Sequence, residues 1–146
     1  REIDFKYSRH EHGQLQPLTD DEARGILCCK ESDQEARDML AGFEWLATGV
    51  REKSLDLETV IKMRGTYYLE FFKRWHPYMQ AQLDSASEDR RGKLYDQFEW
   101  LVGVIAEKRG QNPKDFQLER EWPVDKPFKC PNVPVVEPFK CPNDNK

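Results

Sequence analysis

Apolar residues recur at steps of three and four along two stretches of this chain. Ala36, Met39, Leu40, Phe43, Leu46, Ala47 and Val50 form one stripe, and Leu94, Phe98, Leu101, Val102 and Ile105 form another. An α-helix turns through ~100° per residue, so this spacing gathers each set on one face. It predicts helices over about 33–53 and from about 88 or 92 to 109. Ser32-Asp33-Gln34-Glu35 reads as a capping box ahead of the first. Lys108, Arg109 and Gly110 suit the end of the second, because cations favour the carbonyl end of a helix and glycine takes the turn that stops it. Between the stripes, Tyr67, Tyr68, Phe71, Phe72, Trp75, Tyr78 and Met79 fall nearly all round a helix over about 66–83. A helix that is apolar on most sides is buried on most sides, which places this one at the centre. Pro77 removes a backbone donor and predicts a kink near residues 73–77.

Shorter signals surround this core. Thr19-Asp20-Asp21-Glu22 is a capping box for a helix to about Cys29 that buries Ala23, Ile26 and Leu27. Asp56 caps a helix whose apolar face is Leu57, Val60 and Ile61. Gly65 is read as the end of that helix, with close packing inside one long helix as the alternative. Past Gly110 the prolines at 113, 123, 127, 131, 134, 138 and 142 exclude a long helix, although Phe116, Leu118 and Trp122 can still tuck against the bundle. The organisation is a polar segment over 1–18, a helical domain over 19–110 and a Pro-rich arm over 111–146. The predicted fold class is all-α: a four- to five-helix bundle with a central kinked aromatic helix and an extended arm.

Two internal repetitions stand out. Phe43-Glu44-Trp45-Leu46 returns as Phe98-Glu99-Trp100-Leu101, and Pro127-Phe128-Lys129-Cys130-Pro131-Asn132 returns eleven residues later as Pro138 to Asn143. Trp45 and Trp100 both lie off their stripes. They are expected to be buried beneath the N-terminal segment or the arm, with a partner-binding surface as the alternative. Glu44 and Glu99 beside them are expected to pair with Arg64 or Arg74. The arm repeat carries three readings: docking of Phe128 and Phe139 into equivalent pockets on a partner, a bridge or shared metal at Cys130 and Cys141, or a tail lying over the domain.

Composition narrows the chemistry. A net charge of −4 argues against a general nucleic-acid binder, which needs a basic face to displace counterions, and leaves only a local basic patch around Arg64, Lys73 and Arg74. No apolar run approaches the ~18 residues of a membrane span. Four cysteines in 146 residues are too few for a disulfide scaffold, and reduced thiols in a cytoplasmic setting are expected. His10-Glu11-His12 lacks the third and fourth ligands of a zinc site and reads as a polar loop. Arg74 and His76 are separated by one residue, so their side chains diverge on a helix, unlike the paired Arg and His of helical ribonucleases. No phosphate loop, nucleophile elbow or HExxH is present. No catalytic residue, cofactor or metal is assigned.

Phe43-Glu44-Trp45-Leu46-Ala47 with Gly49-Val50, the Leu55-Asp56-Leu57-Glu58 step, Trp75-His76-Pro77-Tyr78 and Leu94-Tyr95-Asp96-Gln97-Phe98-Glu99-Trp100-Leu101 together resemble an uncharacterised bacterial and phage domain of unknown function. The resemblance spans roughly residues 30–108. It implies a small helical fold, often placed behind one N-terminal membrane anchor, and it implies no catalytic residue. The Pro-rich arm departs from the pattern, and no anchor lies within this sequence.

The expected function is a non-enzymatic protein–protein interaction or scaffolding module. It would take a protein partner or self-associate through Trp45, Trp100, Phe128, Cys130, Phe139 and Cys141. It would act in the cytoplasm, or on the cytoplasmic face of the inner membrane if an anchor precedes Arg1. A ribonuclease-like toxin or defence enzyme and a thiol-based redox or metal sensor are the alternatives.

Overall fold

The computed structural model describes residue 3 and residues 10–11, 14–124 and 127–130. A two-residue antiparallel ladder pairs β1 (His10–Glu11) with β2 (Gln14–Leu15), where a polar loop was expected. Among the described residues everything after it is helix or connection: α1 (Asp20–Leu27), α2 (Lys30–Arg51), α3 (Leu57–Asp84), α4 (Glu88–Arg91), α5 (Asp96–Lys108) and a 3₁₀ turn over Pro113–Phe116. The all-α class is as the stripes predict.

The first capping box forms in full. The Thr19 hydroxyl accepts from the Glu22 amide, and the Glu22 carboxylate accepts from the Thr19 amide. The second does not form. Only Cys28 and Cys29 separate α1 from α2, and the Asp33 amide already donates to the Cys29 carbonyl at 2.7 Å. The helix therefore begins at Lys30, three residues before the predicted start, with Ser32 buried inside its first turn. Glu35 instead accepts from the Ile3 amide, and Asp33 accepts from the Tyr78 hydroxyl at 2.6 Å and from Arg37 at 2.8 Å. Burial pushes the Tyr78 hydroxyl's pKa far up, with the acidic partner adding to it. It stays a donor at any ordinary pH.

The break expected at Gly65 is absent, and α3 runs 28 residues from its Asp56 cap. Glycine serves close approach here. A Cβ on Gly65 would lie 2.6 Å from the Arg109 guanidinium, which donates to the Ile61 carbonyl and to the Thr66 hydroxyl. The end of α5 is thereby tied to the middle of α3. Helix α3 also continues through Pro77. One turn earlier the Arg74 carbonyl accepts from the Leu18 amide at 3.0 Å, so the chain entering α1 rests on α3 beside the proline.

The last stripe is divided. Helix α4 is a single turn, and α5 starts only after Tyr95, which sits at φ 60° in the left-handed region. A non-glycine residue there costs roughly 1–2 kcal/mol and needs surroundings that hold it. The buried Tyr95 ring and its hydroxyl's hydrogen bond to Gln82 Oε1 do so. Gly110, at φ 73°, ends the segment as predicted.

Helix α2 packs on α5, α1 packs on α3, and α3 packs on α5. Ring stacking fills the centre. Phe43 lies 4.2 Å from Phe71 and 5.0 Å from Phe98 between ring centres, and Trp75 meets Tyr78 edge to face at 5.7 Å. Trp75 is wholly buried. Its replacement by alanine is expected to cost ~3–5 kcal/mol of stability in chemical denaturation. A loss under ~1 kcal/mol would mean that the centre collapses around the gap.

Candidate functional site

Three surface features gather the residues singled out from the sequence. The first is an apolar groove of about 240 Å³ between α2 and α3, lined by Met39, Gly42, Phe43, Leu46, Tyr67 and Phe71. Trp45 and Met63 stand on the same two helices but outside the lining of this groove, Trp45 on the off-stripe side of α2. Trp45 is 77% exposed, Met63 74% and Tyr67 43%. The expectation that Trp45 is buried is thus corrected. The described part of the arm crosses α5 and the C-terminal half of α3 instead of α2. Trp100 behaves differently. It is half-buried against the core, with the Arg51 guanidinium 5.1 Å above its ring. Met63 is not among the residues the sequence pattern points to, and the expectation that Tyr67 is buried with the other rings of the central helix is corrected, because nothing in a helical stripe says which edge of it a neighbour leaves uncovered.

The second feature is the arm and its seat. Phe116 and Leu118 are buried as expected, while Trp122 is 49% exposed. Phe128 is half-buried in a groove of about 260 Å³ formed by α1 and α3, with the Arg24 guanidinium 5.2 Å over its ring. This docking is onto the chain's own surface. Cys130 is bonded to Cys28, 102 residues away, and Cys29 is disulfide-bonded as well. The reading of the arm repeat as a Cys130–Cys141 bridge or shared metal gives way to this bond, and the expected reduced thiols are corrected at these positions. Helix α1 ends at Cys28 beside the groove that holds Phe128, so the fold delivers this thiol to the arm. Phe139 and Cys141 lie outside the described residues.

The third feature is a cleft of about 410 Å³ bordered by Arg37, Ala41, Glu44, Arg90, Lys93 and Tyr95. Glu44 is its structurally committed acid. Tyr95, at the N-terminal cap of α5, gives no side-chain cap, and Glu44 reaches across from α2 to accept the Phe98 amide at 2.5 Å. Its repeat counterpart, Glu99, accepts from the Leu118 amide and from Arg120 Nε. The expected pairing of these glutamates is corrected: Glu99 takes Arg120, and Glu44 takes a helix end. Arg64, Lys73 and Arg74 do not form a joint basic patch. They lie over three different rings, those of Tyr67, Phe116 and Phe71, and Arg74 is buried. The His76 ring, by its Nε2, meets the Gln117 carbonyl at 2.9 Å. Among the described residues no three His, Cys, Asp or Glu side chains converge as metal ligands, and no helix is long and apolar enough to cross a membrane.

A small all-α domain with an open groove, a second cleft and a strapped arm on its surface is the class these features define. The chain belongs to the family described as domain of unknown function (DUF4760), whose model matches residues 4–103. The match takes in helices α1 to α4 and more than half of α5, and it stops before the arm. No curated protein and no solved structure matches the chain.

Burial raises the Glu44 pKa above 4.5, against the opposing pull of the Phe98 amide. The folded state therefore holds this proton more tightly than the unfolded state. Its contribution favours folding at low pH and fades as pH rises through 4.5 and the folded value. Glu44→Gln keeps the accepting oxygen and removes the charge. The substitution is expected to raise Tm at pH 7–8 relative to wild type and to leave it unchanged near pH 3, in thermal melts at matched ionic strength. A lower Tm at pH 7–8 would show that the charge itself holds the end of α5.

Proposed function

We propose that this protein is a non-enzymatic interaction module whose docking surface is the groove between α2 and α3. One observation carries the reading. Tyr67, 43% exposed, lines a concave apolar strip, and Trp45 and Met63 stand open to solvent elsewhere on the same two helices, while most of the other described rings are packed inside. Large apolar side chains left exposed in a cluster mark interaction sites, and tryptophan and tyrosine dominate binding energy where they occur. A groove between two helices suits an amphipathic helix that lays apolar side chains into it at steps of three and four. The partner so defined is a protein presenting such a helix, and a second copy of this chain is one source of it.

Photo-crosslinking tests this. A photoreactive residue at position 63 is expected to trap one defined protein, while the same residue at the exposed Glu88 position does not. Trp45→Ala with Tyr67→Ala should reduce trapping at least ~10-fold, as loss of two aromatic anchors worth ~1–2 kcal/mol together or more would do, and should leave the melting curve within a few degrees of wild type. No trapped species, or equal trapping at both positions, would reject the groove as the docking surface. Sedimentation of the same variants separates self-association from capture of a different chain.

A further inference from the structure

We propose that the C-terminal arm is a strap in two parts, with an inner part held by hydrogen bonds and ion pairs and an outer part held by a thiol-releasable clasp. The inner part needs no sulfur. Phe116 and Leu118 are buried. The buried Arg91 donates to the Glu119 carbonyl at 2.7 Å, to the Glu121 carbonyl at 3.0 Å and to Asp84 at 2.7 Å. Arg120 donates to the Arg91 and Leu94 carbonyls, each at 2.8 Å, and to Glu99 at 3.1 Å. Gln80 bonds the Glu119 backbone in both directions.

The outer part, Pro127 to Cys130, is held differently. Pro127 and Lys129 are exposed, and Phe128 and Cys130 are half-buried. Among the described residues, the noncovalent hold on this part is the partial packing of Phe128 and Cys130 against the core and the Arg24 guanidinium over the Phe128 ring, in a groove open enough that the arginine stays partly solvated. Such contacts are weak at exposed sites. The Cys28–Cys130 bond is what keeps the ring in place. Both sulfurs belong to half-buried residues, within reach of a dithiol reductant. A thiolate of the dithiol attacks one sulfur of the bond, and the other cysteine leaves as thiolate and takes up a proton. The second thiol of the reductant then closes a disulfide on the reductant and frees the attacked cysteine as a thiol. Two electrons pass from dithiol to protein. Phe128 leaves its seat, and the groove beside Asp20, Arg24, His76 and Ala81 opens, while residues 113–121 stay where they are. This clasp lies on the α1/α3 side and stands whether or not the α2/α3 groove takes a partner.

Cys29 is also disulfide-bonded, so a reductant cuts more than this bond, whereas Cys28→Ser with Cys130→Ser removes this bond alone. Peptide mapping of the full native chain under non-reducing conditions should return the Cys28–Cys130 link. Trypsin cleavage after Lys129 should be at least ~10-fold faster in the double variant than in wild type, with cleavage after Arg120 equally slow in both. Phe128→Ala with the bond intact should cleave after Lys129 within ~3-fold of wild type. The proposal is overturned if mapping shows another partner for Cys130. It is also overturned if Lys129 stays protected in the double variant, if Arg120 becomes equally labile there, or if Phe128→Ala alone matches the double variant.

Discussion

Three phenylalanine rings, one from each long helix, meet at the centre of this molecule. Phe43 of α2 stacks on Phe71 of α3 and on Phe98 of α5, and Phe71 and Phe98 lie 6.4 Å apart. The other packing relations follow from this meeting. It fixes α2 against α5, which sets Glu44 over the first turn of α5 and Arg51 over Trp100. It fixes α3 against α5, which brings Arg109 down onto the space that Gly65 leaves. Rings of this size bury much apolar area and prefer offset or edge contacts. The centre is therefore specific as well as apolar.

The duplicated Phe-Glu-Trp-Leu tetrads show how one sequence pattern serves two structural ends. In each, the phenylalanine enters the core and the leucine follows it, wholly in the second tetrad and partly in the first. In each, the glutamate leaves its own helix to accept a backbone amide elsewhere: Phe98 for Glu44, Leu118 for Glu99. A carboxylate bonded to backbone N–H makes a strong, directional contact. The two glutamates act as ties between segments distant in sequence. The tryptophans part company, because Arg51 and the core cover Trp100 and leave Trp45 open.

The arm extends the same logic beyond the family match at residues 4–103. Arg91 and Arg120 are largely buried yet richly bonded, each to main-chain carbonyls and to one carboxylate. A guanidinium offers five donors in a fixed fork. That geometry is what lets one side chain hold an extended segment that has no strand partner of its own. Cation, ring and disulfide then hold the outer end beside α1.

The helices were legible in the chain itself, because periodicity of apolar residues is a local property and burial rewards it. So were the Thr19 box, the Asp56 cap and the Gly110 stop, each a bond or a turn within a few residues. What depended on distant groups could not be read that way. Gly65 breaks nothing because Arg109, far along the chain, needs the room. Ser32 is no cap because two residues between α1 and α2 leave the ladder no later place to start. Tyr95 adopts a left-handed backbone because Gln82 and the core hold its ring. Trp45 is bare and Trp100 is covered although their local sequences match, and Cys130 meets Cys28 rather than its own repeat. Local pattern determined which segments are helical and which faces turn inward. Only the packing of those faces decided which leftover side chains found a neighbour, since burial of a side chain depends on what else occupies the space beside it.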